Sequence, residues 1–178
     1  METKLKSATG CINKSFEDLY KENVRNVYYY ALRMLGSITE AEDATHDVFI
    51  KAFRAYAQFR NESSPKTWLY RITVNHCNYL LKVRAKHPMT DIDEADIETQ
   101  NEIYDSPIKV IENKEIGLLI QKTLEKLPIE YRTVLLLAKD EKLSYEEIGQ
   151  LTNQTTDAVR GKLHRARKLF IYHFKKLR

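Results

Sequence analysis

The sequence predicts an all-α protein, built as two small helical domains joined by a flexible acidic linker. Three observations predict it. Only 5 Gly and 4 Pro are spread through 178 residues, which leaves long stretches free of helix breakers. Apolar residues recur at helical rather than alternating spacing. Between Thr90 and Ser106, finally, Asp91, Asp93, Glu94, Asp96, Glu98, Glu102 and Asp105 occur with no Lys or Arg among them, a composition that stays solvated because it has too little apolar surface to bury. The expected divisions are a domain over 1–87, a linker over 88–112 and a domain over 113–178.

The elements follow in order. "FEDLYKENVRNVYYYALRML" places Phe16, Leu19, Val24, Val27, Ala31 and Leu35 near helical spacing. After Gly36, Thr39 at the N-cap and Glu42 at N3 form a capping box. They open "AEDATHDVFIKAFRAYAQF", whose apolar stripe is Val48, Ala52, Phe53 and Tyr56. "RNESSPK" is a loop, with Pro65 suited to the first position of the helix "KTWLYRITVNHCNYLLKVRAK". Helical pattern returns near Ile108 and runs to Pro128, and "IEYRTVLLLAKDEK" supplies the next helix.

Composition narrows the function classes. The net charge is only +4, so its distribution matters more than its total. The start of the chain lacks the apolar segment of a signal peptide, and apolar runs such as "VLLLA" are too short to span a bilayer. Cys11 and Cys77 form neither a metal-type spacing nor a disulfide framework. A reduced, cytoplasmic protein without direct membrane insertion is expected. The five His residues and two Cys show no metal-ligand spacing, and there is no phosphate-binding Gly loop. Neither a catalytic group nor a metal or other cofactor is expected.

The C-terminal segment carries the clearest chemistry. Ser144 and Glu147 form a capping box for a short helix, "NQT" is a polar turn, and Thr155 can cap the next helix. Two short helices around a tight polar turn are the sequence form of a helix-turn-helix. In the second helix Val159, Leu163, Ala166 and Phe170 share a narrow core-facing stripe. Asp157, Arg160, Gly161, His164 and Lys168 lie opposite, with Arg165 beside them, and no acid follows Asp157. A helix C-terminus attracts cations, but these begin in the first turns. Gly161 costs about 1 kcal/mol relative to Ala in mid-helix, an expense that makes sense where DNA must come close. An acid at Asp157 is explained by the helix N-terminus alone.

The helix containing Trp68 has a comparable pattern. Trp68, Ile72 and Tyr79 share one face, with Leu80 and Val83 at its side. Arg71, Asn75, Asn78 and Lys82 make another, two amides between two cations, suited to polar and phosphate contacts.

Together these residues resemble the extracytoplasmic-function (group IV) sigma factors of bacterial RNA polymerase. "AEDATHDVFIKAFRAYAQFR…TWLYRITVNHC" is similar to their region 2, and "LEKLPIEYRTVLLLAKDEKLSYEEIGQLTNQTTDAVRGKLHRAR" to their region 4. The resemblance implies a promoter-specificity subunit that joins core polymerase, recognises −35 and −10 elements and helps to melt DNA. It implies contact of Asp43, His46, Asp47 and Lys51 with the β′ clamp helices, although relatives usually carry Gln and Glu where His46 and Asp47 stand. It implies that Phe59, Arg60, Asn61, Glu62, Ser63 and Ser64 hold a base flipped from the −10 element, a step that costs a few kcal/mol of unstacking. Asn75 comes with that element by the "ITVN" match, and Asn78 and Lys82 more loosely; Arg71 shares their face. Many relatives have Asp where Tyr79 stands.

In region 4 the resemblance puts −35 reading on Arg160, Gly161, His164 and Arg165, in agreement with the periodicity. Arg167 and Lys168 extend that surface toward phosphates. Ala158 replaces a common Thr, and Gln154 an apolar turn residue. Further implied partners are the β flap and an anti-sigma factor associated with the membrane, which would act by occlusion. The acidic linker would thread the RNA exit path, its carboxylates imitating a nucleic-acid backbone. Two other classes compete with this reading. A stand-alone helix-turn-helix regulator would need a sensor pocket in residues 1–87 and would bind DNA unaided. An enzyme finds no motif.

Overall fold

The structure, a computed structural model, describes residues 15–59, 63–86, 107–139 and 143–178, with side chains from residue 114 onward in the third of these segments. Among the described residues it contains seven helices and no strand: α1 (Phe16–Leu35), α2 (Ile38–Tyr56), α3 (Pro65–Lys86), α4 (Pro107–Glu125), α5 (Ile129–Leu137), α6 (Tyr145–Thr152) and α7 (Thr156–Leu177). The Thr90–Ser106 acidic run lies outside the described residues.

Local chemistry sets the boundaries. Ser15 and Asp18 form a reciprocal capping box that opens α1, satisfying donors that the first turn leaves without partners. Gly36 closes it in the left-handed region at φ 80, its N–H bonded to Leu32 O at 2.9 Å. A side chain there would also run into α4, since a Cβ would stand 2.5 Å from Glu125 Oε1. The capping box expected at Thr39 and Glu42 is not formed. Because the chain reverses at Gly36, Ser37 is the first extended residue, and it caps α2 by accepting from Glu40 N. Glu40 has the right spacing to complete a box, but its carboxylate pairs with Arg84 of α3. Pro65 takes the first position of α3, as expected, and Ser64 Oγ accepts from Thr67 N at 3.0 Å. α5 ends at Leu137, earlier than its sequence pattern suggested.

Packing divides into two apolar clusters. One belongs to the first three helices: Leu19, Val27, Val48, Phe49, Ala52 and Leu69, with Phe16, Tyr56 and Trp68 against them. The other is shared, joining Ala31, Met34, Leu35, Val74 and Cys77 to Val134, Leu137, Ile148, Val159 and Leu163. The α1–α3 and α4–α7 groups thus rest on each other. α3 turns Leu69, Val74, Cys77 and Leu81 inward, with Trp68 and Ile72 half-buried against the first cluster and Tyr79 exposed. Burial pushes the Cys77 thiol up to about 12, which leaves it protonated and unreactive at neutral pH.

Polar groups complete the seam at the C-terminus of α1. Its last carbonyls have no partner within the helix and carry the negative end of the dipole. Arg132 of α5, only 6% exposed, donates to Met34 O at 2.6 Å and also to Glu125 O at 3.1 Å. Arg84 donates to Leu35 O at 3.1 Å, and Gln121 of α4 reaches Arg33 O at 3.5 Å. Arg33 returns a bond to Gly117 O at 3.3 Å. Three elements thereby converge on one helix end.

Candidate nucleic-acid interface

α6 and α7 form the expected helix-turn-helix. The Ser144–Glu147 capping box is complete, Asn153 adopts the left-handed conformation at φ 54, and Thr155 Oγ1 accepts from Ala158 N at 3.2 Å. The turn depends on a residue that periodicity did not single out. At Gly149 a Cβ would stand 2.5 Å from Gln154 O, so the backbone of the turn could not close over any larger residue. Gly161 differs. A Cβ there would meet only Arg165 Nη2, at 3.9 Å, and nothing inside the fold requires a glycine at that position.

Val159, Leu163 and Ala166 are buried, while Phe170 is half-buried and stacks on Phe174. Arg160, His164, Arg165, Arg167 and Lys168 are exposed and Gly161 is partly so. Counting about 100° per residue, these six positions occupy one broad arc of α7. Arg160 makes a loose contact with Asp157 at 3.5 Å, within the helix and open to solvent. Lys162 is otherwise engaged. Its amine donates to Glu130 of α5 at 2.7 Å, and that bond holds the Glu130 carboxyl below its usual range.

On α3, Arg71, Asn75 and Lys82 are exposed. Asn78, expected on the same strip, is half-buried at its margin and accepts from Thr133 Oγ1 of α5 at 3.2 Å. The N-terminal margin is covered similarly. Ser64 Oγ lies 2.8 Å from Thr67 Oγ1, which donates to Glu147 Oε1 of α6 at 3.0 Å. The Ser144 N–H chiefly, with help from Thr67, lowers the Glu147 carboxyl pKa against the opposing effect of burial. Of the loop residues, Phe59 stacks on Tyr56 and packs against Trp68, and Ser63 and Ser64 start the approach to α3. Arg60, Asn61 and Glu62 lie outside the described residues.

Asp43, His46, Asp47 and Lys51 are all exposed along α2. Two of them also meet α3 at a histidine that the sequence pattern left unassigned. His76, 7% exposed, has Nδ1 at 2.7 Å from Lys51 Nζ, and Nε2 at 3.3 Å from Asp47 Oδ2. Asp47 is the acidic partner that Nε2 faces. Burial chiefly, then the Lys51 charge, lowers the His76 pKa, with Asp47 opposing. The ring is therefore neutral at pH 7 and accepts from Lys51 at Nδ1. Phe53, expected in the apolar stripe of α2, is 66% exposed instead. It touches Phe16 edge-on at 5.2 Å between ring centres, which leaves most of the ring outside the core. Among the described residues no group of His, Cys, Asp or Glu could hold a metal ion, and no helix is long and apolar enough to cross a membrane.

Comparison with known proteins gives a consistent result. Residues 19–86 match the family model of sigma-70 region 2, and residues 117–170 that of sigma-70 region 4. RNA polymerase sigma factor YlaC of Bacillus subtilis is 33% identical over 155 residues, covering 86% of this chain and 88% of that protein. The ECF RNA polymerase sigma-E factor of Escherichia coli is 35% identical over 137 residues, covering 72% and 71%. Among solved structures, the sigma factor RpoE of Bartonella quintana, crystallised with the anti-sigma factor NepR, superposes with a TM-score of 0.72 at 19% identity, covering 90% of this chain and 96% of that one. CnrH, solved with the cytosolic domain of CnrY, gives 0.64 at 21% identity, covering 90% and 88%.

Proposed function

This chain belongs to the extracytoplasmic-function group of the sigma-70 family of RNA polymerase sigma factors, and from that premise we propose how its surfaces divide the work of promoter recognition. As a sigma factor it gives RNA polymerase its promoter specificity; nothing favours the stand-alone regulator. α7 enters the major groove of the −35 element. Arg160 and Arg165 read base edges, Gly161 and His164 face the groove, and Arg167 and Lys168 hold phosphates. α3 follows the −10 element with Arg71, Asn75, Asn78 and Lys82, and the Phe59–Ser64 loop holds a flipped base. Asp43, His46, Asp47 and Lys51 dock on the β′ clamp helices, and α4–α7 meet the β flap.

The observation that carries this reading is the arc on α7. It is exposed, cationic from the first turns, set on a capped helix-turn-helix, and has open space at Gly161. The working units are residues 1–87 and 113–178, with 88–112 between them. The setting is the cytoplasm, and the regulon answers a stress or envelope signal. Control comes from an anti-sigma factor that covers Asp43–Lys51 or the Arg160 face; the RpoE and CnrH structures, each solved with a partner, support that kind of control.

The test is transcription in vitro with core polymerase, followed by sequencing of the transcripts. The expected result is initiation downstream of one recurrent two-element sequence, together with co-elution of chain and core enzyme in gel filtration. Absence of co-elution at micromolar concentration overturns the reading.

A further inference from the structure

We infer that Asp157 is a specificity-determining residue of the −35 surface: its carboxylate accepts a hydrogen bond from the amino group of a cytosine, on a base pair adjoining the one that Arg160 reads. The inference rests on α7 being the −35 helix, as proposed above, and it adds to that surface a reader of the opposite charge.

Asp157 stands in the middle of the cationic arc. The arc from Arg167 to Arg165 covers roughly 160° of α7, and Asp157 lies about 60° from Arg160 on the side toward Arg165. His164 and Lys168 lie about 20° to either side of it. The Asp157 side chain is 92% exposed, and it is the only acid in α7. A helix N-terminus favours an acid in its first turn but does not choose which side of the turn carries it. Capping does not need this carboxylate either, because Thr155 Oγ1 already accepts from Ala158 N at 3.2 Å. A surface built only to hold phosphates would keep acid away from its centre, since like charges repel. An acid among these cations makes sense where a hydrogen-bond donor is to be read.

The two side chains keep groups to offer. Arg160 Nη1 approaches Asp157 Oδ1 at 3.5 Å, and among the described residues Asp157 Oδ2 has no partner. The guanidinium has five N–H donors, so this one loose contact restrains Arg160 without using it up. Asp157 and Arg160 are three residues apart, about 4.5 Å along the helix axis, against roughly 3.4 Å between successive base pairs. That spacing suits neighbouring pairs.

The base follows from the chemistry of the groove. There guanine shows two acceptors, thymine an acceptor and a methyl group, and adenine a donor beside an acceptor. Cytosine shows a donor with no acceptor next to it. An ionised carboxylate only accepts, so cytosine is the base that it meets without repulsion.

The test uses RNA polymerase holoenzyme assembled with the full chain, and promoter DNA randomised across the −35 element, with the bound DNA sequenced. The wild-type chain is expected to select cytosine at a position next to the one whose preference disappears in Arg160→Ala. Asp157→Ala reduces that cytosine preference about five- to hundredfold. Asp157→Asn, which presents a donor and an acceptor, turns the same position toward adenine. Binding to a scrambled −35 duplex does not fall in either variant, because neither change removes a phosphate contact. Circular dichroism verifies that both variants fold.

If both variants keep the wild-type preferences, Asp157 serves only the helix N-terminus and the inference is wrong. If Asp157→Asn blurs the position without turning it toward adenine, the carboxylate acts by restraining Arg160 rather than by reading a base, and the inference is also wrong. Either result leaves the −35 reading in place as long as Arg160→Ala shifts a preference. If Arg160→Ala shifts none, that reading fails and this inference with it.

Discussion

α7 and α3 each present amides or cations along one side of a long helix, but they stand differently in the molecule. The α7 arc is open along its length, and its one ion pair among the described residues, Arg160 with Asp157, is internal and loose. The α3 strip is bounded by the protein's other half. Glu147 holds Thr67 at one end, Thr133 holds Asn78 further along, and Glu130, tied to Lys162, acts electrostatically on Lys82. Reading a duplex asks only that a surface be preformed, since the groove is always present. Reading a single strand asks for contacts that pay only after unstacking. In this arrangement Asn78 has its Oδ1 held by Thr133 and keeps its amide NH2 as the group to offer DNA. The face proposed to meet duplex is therefore open, and the face proposed to meet the melted strand is shared with α5 and α6.

The largest test of that difference is the seam itself. Arg132→Ala leaves the carbonyls of Met34 and Glu125 without their buried guanidinium partner. The expected loss is about 2–4 kcal/mol, or roughly 5–15 °C in thermal midpoint for a chain of this size. Thermal unfolding followed by circular dichroism measures it. An unchanged midpoint would mean that the two halves do not rest on one another in solution, and the contrast between the faces would disappear.

Next in size are the cations of α7. Arg160→Ala and Arg165→Ala should each cost about 1–3 kcal/mol in −35 duplex binding and relax preference at one or two base pairs. Arg167→Ala and Lys168→Ala should weaken all duplexes alike and reduce the salt slope by about one each. Gly161→Leu meets open space, so stability should hold or rise by up to about 1 kcal/mol while promoter binding falls. Fluorescence anisotropy on consensus and scrambled duplexes separates these outcomes. A uniform loss for Arg160→Ala would make the whole arc a phosphate clamp.

A smaller effect depends on pH. The folded chain lowers the proton affinity of His76 below its ordinary value of 6.5. The unfolded chain then takes up the proton first, so the contribution of neutral His76 is complete above 6.5 and declines as pH falls below it toward the lower folded value. Urea midpoints should therefore drop as pH falls below about 6.5, and His76→Gln should flatten that part of the curve. Glu130 and Glu147 are lowered from 4.5, and their contributions are lost only below that pH. The two windows separate the α2–α3 contact from the α5 and α6 contacts.

Much of this was legible in the sequence, for physical reasons that also mark where reading stopped. The bounds of α1, the Pro65 start of α3, the Ser144–Glu147 box and the inward stripe of α7 depend on residues near one another in the chain, and periodicity and capping rules report on such neighbours. Thr39 failed as a cap because the left-handed Gly36 moved the start of α2 two residues earlier. Phe53 fits the helical stripe in spacing, yet it faces outward because the neighbouring elements do not extend over it. Arg132, Thr133 and Glu147 are ordinary polar residues in sequence, and only the packing of α5 and α6 on α1 and α3 gives them partners. The same holds for His76, whose neighbours Asp47 and Lys51 lie on another helix. Tyr79 was visible as an aromatic at helical spacing, but its exposure required the orientation of α3.

The last and smallest expected effect concerns the boundary of the α3 strip most directly. In Glu147→Gln the single amide oxygen still accepts from the Ser144 N–H and completes the capping box, while the amide NH2 takes the place of Oε1 and donates to Thr67 Oγ1 instead. Stability should therefore change by no more than about 0.5 kcal/mol. What the change removes is the negative charge beside Thr67 and Ser64, at the loop proposed to hold a flipped base. A like charge there opposes the approach of a phosphate, by an amount that screening at physiological salt keeps modest. Free full-length Glu147→Gln should accordingly bind a single-stranded −10 oligonucleotide roughly two- to threefold more tightly, which is about 0.5 kcal/mol, and bind −35 duplex as before. Measured at low and high salt, the gain should shrink as salt rises. A gain of equal size on duplex would show that α7 responds to the same charge, and the two faces would then be less separate than their surroundings indicate.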